Sequence, residues 1–196
     1  MRCDKKSLFK STMTLKRIFN KLRYKCLKPI IYSVEFFNGP LHMRLVTALL
    51  KISGVSINGQ LAYVHKTAKF DDFDKVSLGK GVVLSLDVYL LTHDWSRHVA
   101  YNVLKKKHLD STNQINLGNA IKRDSPVLKN IIIGNNVFIG ARSFILPGTI
   151  IEDHCIIGAG SVVRGKIPSG SIVCGNPAKV IGNTENYGVK WSNLTS

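Results

Sequence analysis

The chain has 196 residues, and its 28 Lys and Arg against 12 Asp and Glu give a formal net charge of +16. That length suits one core-bearing domain with an appendage, and the plentiful aliphatic residues exclude a disordered chain. No run reaches the roughly 20 apolar residues of a membrane-spanning helix, and no charged-then-apolar start with a small-residue cleavage site marks a secretory signal.

The charge is concentrated at the start. Residues 1–30 carry ten basic side chains against one acid, Asp4. The block is not plain charge, because Leu8, Leu15, Ile18, Phe19, Leu22 and Cys26 recur at helical spacing and fall on one face. A basic amphipathic helix of this kind packs on its own protein, packs on another subunit, or lies on an anionic membrane surface. Nucleic acid is not expected as a partner, because an apolar stripe does not match a phosphate backbone. Residues 1–37 thus read as a helical arm with peripheral membrane association among its roles.

Asn38-Gly39-Pro40 breaks the arm, since Pro suits the first turn of a new helix. That second helix is predicted from Leu41 to Ser53, with Leu41, Leu45, Ala48, Leu49 and Ile52 on its packed face and Gly54 as its stop.

Beyond Gly54 the period changes. From Ile133 an aliphatic residue returns every six positions, as Ile133, Ile139, Ile145, Ile151, Ile157 and Val163. Four positions after each stands a mostly small residue: Val137, Ser143, Thr149, Cys155, Ser161 and Ile167. Neither a helix nor an alternating strand sustains a period of six, whereas a parallel β-helix does. The aliphatic residue points into a triangular prism, the small one fits near a corner, and each coil relies on its neighbours. The same period marks Leu78, Leu84 and Leu90, with Ile57, Val64 and Phe70 as looser earlier turns. It is lost between about His93 and Lys129, which predicts a long loop over 94–129. Asn176 to Ser196 is expected to cap the open end. The domain reading is a basic helical region at 1–54, a β-helix at 55–182 and a tail at 183–196.

The stretches Ile133–Gly140, Ile157–Ser161 and Gly175–Ile181, together with Thr92-His93 before the long loop, resemble the hexapeptide-repeat acyltransferases. The likeness is greatest to the sugar O-acetyltransferase branch with the maltose, galactoside and nodulation enzymes. It implies a mainly β fold, a left-handed parallel β-helix, and a homotrimer with its sites between subunits. It further implies acetyl-CoA as acyl donor and direct transfer to a saccharide acceptor, and it carries an expected place in bacterial surface polysaccharide biosynthesis. By position the catalytic histidine falls on His93, and donor contacts fall on Ala141, Ala159, Arg164 and Lys179. The sequence departs from the family at Phe138, where a tryptophan is common, at Gly182, where some members carry a basic residue, and at His65, where the galactoside branch has an asparagine.

The chemistry of the residues agrees with that expectation. A sugar hydroxyl is a poor nucleophile, and a neutral imidazole beside it takes its proton as the C–O bond forms. Asp94, His65 or a backbone carbonyl would orient the second ring nitrogen, and a backbone N–H near Gly140 would meet the oxyanion. N-acetylation of an amino sugar or acetylation of an antibiotic needs the same base and stays open, as does a catalytically idle trimeric assembly module. A γ-class carbonic-anhydrase-like metal site would need His65, His93 and His98 as three zinc ligands; no metal is expected, because His98 falls in the irregular loop. His42, His108 and His154 show no constellation. Cys155 is a corner residue, and the four cysteines (Cys3, Cys26, Cys155, Cys174) form no CxxC pair, which fits reduced thiols in a cytoplasmic protein.

Overall fold

A computed structural model describes residues 5–36, 38–96, 98, 99, 102, 103 and 127–192. Most of the predicted 94–129 loop, His108 included, lies outside the described residues.

Helix α1 spans Lys5–Ser33, a short 3-10 turn covers Val34–Phe36, and helix α2 spans Gly39–Ser53. The predicted break is where helix α2 starts. The Asn38 side chain accepts a hydrogen bond from the Leu41 N–H, and Pro40 occupies the first turn, where its missing N–H costs nothing. Gly54, at φ 112°, closes the helix in a left-handed conformation that a side chain would strain.

The packed face of α2 differs from the predicted one. His42, Val46, Leu49, Leu50 and Ser53 are buried, whereas Leu41, Ala48 and Ile52 are exposed. Counting apolar residues favoured the leucine-rich stripe, but the coil and helix α1 pack against the neighbouring stripe, where His42 meets the Tyr32 ring of α1 edge-on at 4.8 Å.

The rest of the described chain winds into a three-sided coil of short strands. One face stacks β1 (Ser56–Ile57), β4 (Val76–Leu78), β9 (Ile131–Ile133), β12 (Ile150–Ile151) and β15 (Lys166–Ile167). The second stacks β2 (Tyr63–Val64), β5 (Val83–Leu84), β10 (Phe138–Ile139), β13 (Ile156–Ile157) and β16 (Ser171–Gly175). The third stacks β3 (Lys69–Phe70), β6 (Tyr89–Leu90), β11 (Phe144–Ile145) and β14 (Val162–Val163). All pairs within these stacks are parallel.

The six-residue series is the core. Ile133, Ile139, Ile145, Ile151, Ile157 and Val163 are each at most 2% exposed, and burying such a side chain is worth about 1.5–3 kcal/mol. Ile133 pairs with Ile151 eighteen positions on, one full coil. The small residues sit at corners, where their polar atoms satisfy carbonyls that the turns leave behind. Ser143 and Ser161 donate to the Gly158 carbonyl, Thr149 to those of Leu146 and Val163, and the Cys155 thiol to that of Pro168. Glycine follows the inward isoleucine because consecutive coils touch there: a Cβ on Gly140 would lie 2.5 Å from the Ala159 nitrogen. Ile167 leaves its predicted series. It pairs with Ile151 and joins the aliphatic column, because the last coil is two residues shorter.

The insertion is measured by the same register. Leu78 pairs with Ile133, 55 positions away and 37 more than a regular coil needs. Its base is clamped by a two-stranded antiparallel ladder, β7 (His93–Asp94) against β8 (Val127–Leu128). After β16 the chain reverses into β17 (Ala178–Asn183), antiparallel to β16, and then helix α3 (Thr184–Ser192). This segment extends the second face. Ala178 packs against the core, and Val180, Ile181, Tyr187 and Val189 are exposed.

Candidate active site

The prism has three corners, and two of them carry every predicted site residue. The corner between the third and first faces holds residues 71–75, 91–94, 146–149 and 164–165. Here the insertion leaves the coil, so His93 stands at a break in an otherwise regular edge. The corner between the second and third faces holds residues 65–68, 85–88, 140–143 and 158–161. It contains Ala141 and Ala159, and Lys179 joins them because it pairs with Cys174, which lies beneath Gly158. Arg164 belongs to the His93 corner. One chain therefore does not bring His93 together with Ala141, Ala159 and Lys179, which a whole prism face separates from it.

His93 is about a third exposed, and its Nδ1 is buried. That nitrogen lies 2.6 Å from Asp71 Oδ2 and 3.4 Å from Asp72 Oδ2. The approach is short but not aligned as a linear hydrogen bond, a looseness common in catalytic pairs before substrate binds. The carboxylates are themselves held. Asp71 Oδ2 accepts from the Thr92 N–H at 3.3 Å, and Asp72 Oδ2 accepts from the Thr92 hydroxyl at 3.1 Å. Lys21 of helix α1 reaches Asp72 Oδ1 at 3.6 Å. Asp72 is 5% exposed, and a carboxylate removed from water to that degree is kept only by such partners.

None of the orienting groups suggested by the sequence holds this nitrogen. Asp94 turns outward and accepts from the Ser96 N–H, which with the nearby Arg164 and Lys129 holds its carboxyl below the usual range. His65 lies at the other corner, where its Nδ1 accepts from the Thr67 N–H. The signal for Asp71 and Asp72 was the coil period. Phe70 pairs with Leu90 twenty positions on, so the residues one coil before Thr92 are those just after Phe70.

Below His93 on the same corner a pocket opens between Asp94, Lys129, Pro147, Gly148 and Arg164. Two cations over a proline-glycine turn suit an anionic group. On the other corner the Gly140 N–H donates to the Ile157 carbonyl and is unavailable to an oxyanion. The Ala141 and Ala159 N–H groups donate to no other described residue, Ala159 is exposed and Lys179 is exposed. These groups fit the anionic, amide-rich tail of a coenzyme thioester, which takes backbone donors along its arm and cations at its phosphates. Phe138 points outward from the second face at 42% exposure.

The zinc constellation is not assembled on the chain. His65 and His93 occupy different corners, and His98 Nε2 lies 2.9 Å from Asn102 Nδ2. Among the described residues no three His, Cys, Asp or Glu side chains lie close enough to hold one metal ion. Burial pushes the Cys155 thiol above its ordinary range, which fits a packed corner residue. His154 is an exposed corner residue at φ 59°.

Residues 130–165 match the bacterial transferase hexapeptide model, six repeats. WbbJ of Escherichia coli (strain K12), provisionally named a lipopolysaccharide biosynthesis O-acetyl transferase, is 32% identical over 121 residues, 61% of this chain and 54% of that protein. YvoF of Bacillus subtilis (strain 168), provisionally named an acetyltransferase, is 28% identical over 108 residues, 55% of this chain and 48% of that protein. The chain thus spans about half the length of these curated relatives. Among solved structures, a maltose O-acetyltransferase from Clostridium difficile 630 superposes with a TM-score of 0.55 at 21% identity, covering 85% of this chain and 87% of that one. The hexapeptide-repeat acetyltransferase VCA0836 of Vibrio cholerae, solved with acetyl coenzyme A, gives 0.51 at 17% identity over 84% and 86%. At those identities the likeness concerns the fold. The repeat, the coil it builds and the likeness to these structures identify the fold as a left-handed parallel β-helix, with the bacterial transferase hexapeptide repeat matched over residues 130–165.

Proposed function

We propose that the protein transfers an acetyl group from acetyl-CoA to a saccharide hydroxyl, with His93 as general base. The observation that carries this reading is the short approach of His93 Nδ1 to Asp71 at the mouth of the interrupted corner. Carboxylates on Nδ1 favour the tautomer that keeps its proton there and leaves the Nε2 lone pair free. Nε2 removes the acceptor hydroxyl proton as that oxygen attacks the thioester carbonyl. Asp71 and Asp72 stabilise the imidazolium that forms. Collapse of the tetrahedral intermediate expels the coenzyme A thiolate, which takes the proton back from Nε2, and the acetyl ester is complete.

The donor is held at Ala141, Ala159 and Lys179, with Arg164 contributing from the His93 corner. Because these corners are a face apart on one chain, the reading requires a second copy to bring its edge to His93. A closed homotrimer supplies three such clefts with one repeated contact. The oxyanion then meets the Ala141 N–H of the neighbouring copy rather than that of Gly140. The resemblance to WbbJ supports an acceptor in bacterial surface polysaccharide assembly.

The test is a mass-spectrometric screen of the purified protein with acetyl-CoA and a panel of sugars and glycans. The expected result is an added acetyl group on one acceptor class, with release of one thiol per transfer. Absence of acetyl-CoA binding would reject the reading and favour a non-catalytic assembly module.

A further inference from the structure

Helix α1 presents an apolar stripe that the described chain does not cover. Leu15, Ile18, Phe19, Leu22 and Ile30 are between 51% and 65% exposed, and Cys26 is exposed on the same stripe. At about 100° per residue these six positions span one side of the helix. No charge interrupts them. Lys16 and Arg23 border the stripe on one edge, and Lys21 and Lys25 on the other.

The helix is not free to roll over and hide this side. Its opposite face is bolted to the turn that follows β3. Arg17 pairs with Asp74 at 3.0 Å, Lys21 reaches Asp72 at 3.6 Å, and the buried Tyr24 ring packs on Phe73 with centroids 4.9 Å apart. The sequence pattern therefore marked the outward side, and the contacts hold it outward.

We propose that this stripe is a docking surface for an anionic lipid bilayer, with α1 lying in the plane of the headgroups. An apolar band a few side chains wide enters the headgroup–acyl boundary, while cations on both edges reach lipid phosphates. A second copy of the chain fits less well. A two-fold pairing of identical stripes would bring both cationic borders together, in a chain already carrying +16, and a different surface of a second copy would have to be both apolar and acidic to match the band and its borders. Nucleic acid would leave the apolar band in water. The proposal is independent of the acetyl-transfer reading, because vesicle binding needs neither donor nor acceptor.

The experiment is co-sedimentation of the full-length protein with phosphatidylcholine vesicles and with vesicles containing phosphatidylglycerol. The wild type should bind the second kind and release with added salt. Phe19→Ser with Leu22→Ser should weaken binding roughly 100-fold, as two inserted apolar side chains imply. Lys16→Gln with Lys25→Gln should weaken it about 10- to 30-fold. These positions are exposed, so the fold and the thermal midpoint should hold. Cys26 supplies a second readout: anionic vesicles should slow its alkylation by a polar thiol reagent, read at that residue by mass spectrometry. Wild-type protein that ignores anionic vesicles, or binding unchanged in both double variants, overturns the proposal. An oligomer that dissociates in Phe19→Ser/Leu22→Ser also overturns it and assigns the stripe to a second copy.

Discussion

Two corners of one prism are built from the same repeat and offer different chemistry. Around Ala141 and Ala159 the corner keeps the six-residue period, with Gly140, Ser143, Gly158, Gly160 and Ser161 beside them, and the groups proposed to hold the donor are backbone amides plus the returning Lys179. The corner at His93 loses the period where 37 extra residues leave the coil. There the tight packing that imposes Gly, Ser and Ala is relaxed, and His93, Asp71, Asp72, Lys129 and Arg164 gather. A regular solenoid edge supplies repeated, rigid donors. An interrupted edge supplies ionisable side chains, and the proposed acetyl transfer draws on both.

The sharpest way to break this contrast is at the base. His93→Ala should lower kcat by about 10²–10⁴-fold while leaving the proposed trimer and the acetyl-CoA affinity intact, as isothermal titration and sedimentation would show. Near-normal turnover would move the chemistry off that corner. Asp71→Asn should follow at roughly 10²-fold in kcat, because the imidazole loses the group that fixes its tautomer. If it matches the wild type, Asp72 alone orients the ring.

The regular corner should answer in the opposite parameter. Lys179→Ala is expected to raise the KM for acetyl-CoA about tenfold, with kcat at saturation retained. A fall in kcat alone would place that lysine in the chemical step. Gly140→Ala probes the packing of the same edge. Its Cβ would meet the Ala159 backbone, so thermal unfolding should report a loss of about 1–3 kcal/mol. Unchanged stability would mean that the edge is looser than its coil spacing implies. The smallest effect is expected at the seam between helix α1 and the broken corner. Lys21→Met removes a half-exposed cation from buried Asp72, and kcat should fall only severalfold, since one such contact is worth about 1 kcal/mol. Loss as large as that of Asp71→Asn would show that the helix governs the base.

The sequence alone determined the fold, because a six-residue period has one physical solution and each coil repeats it on the next. It also singled out His93 as the candidate base, since a histidine at the point where a period ends is conspicuous, and it marked the start and stop of helix α2 through Asn38, Pro40 and Gly54. It could not tell which helix stripe would be buried. In both helices the richest apolar stripe is partly or wholly outside, because burial depends on what lies opposite and not on the helix itself. Nor did it reveal Asp71 and Asp72, whose neighbour Thr92 is twenty positions away and adjacent only once the coil is wound. Only the tertiary structure decided that Ala141 and His93 belong to different edges. Residues a dozen positions apart share or change a corner according to how many hexapeptides lie between them, and the inserted loop hides that count. The proposed site is divided between these edges and so needs a neighbouring chain to close it, a requirement that arises from the shape of the prism.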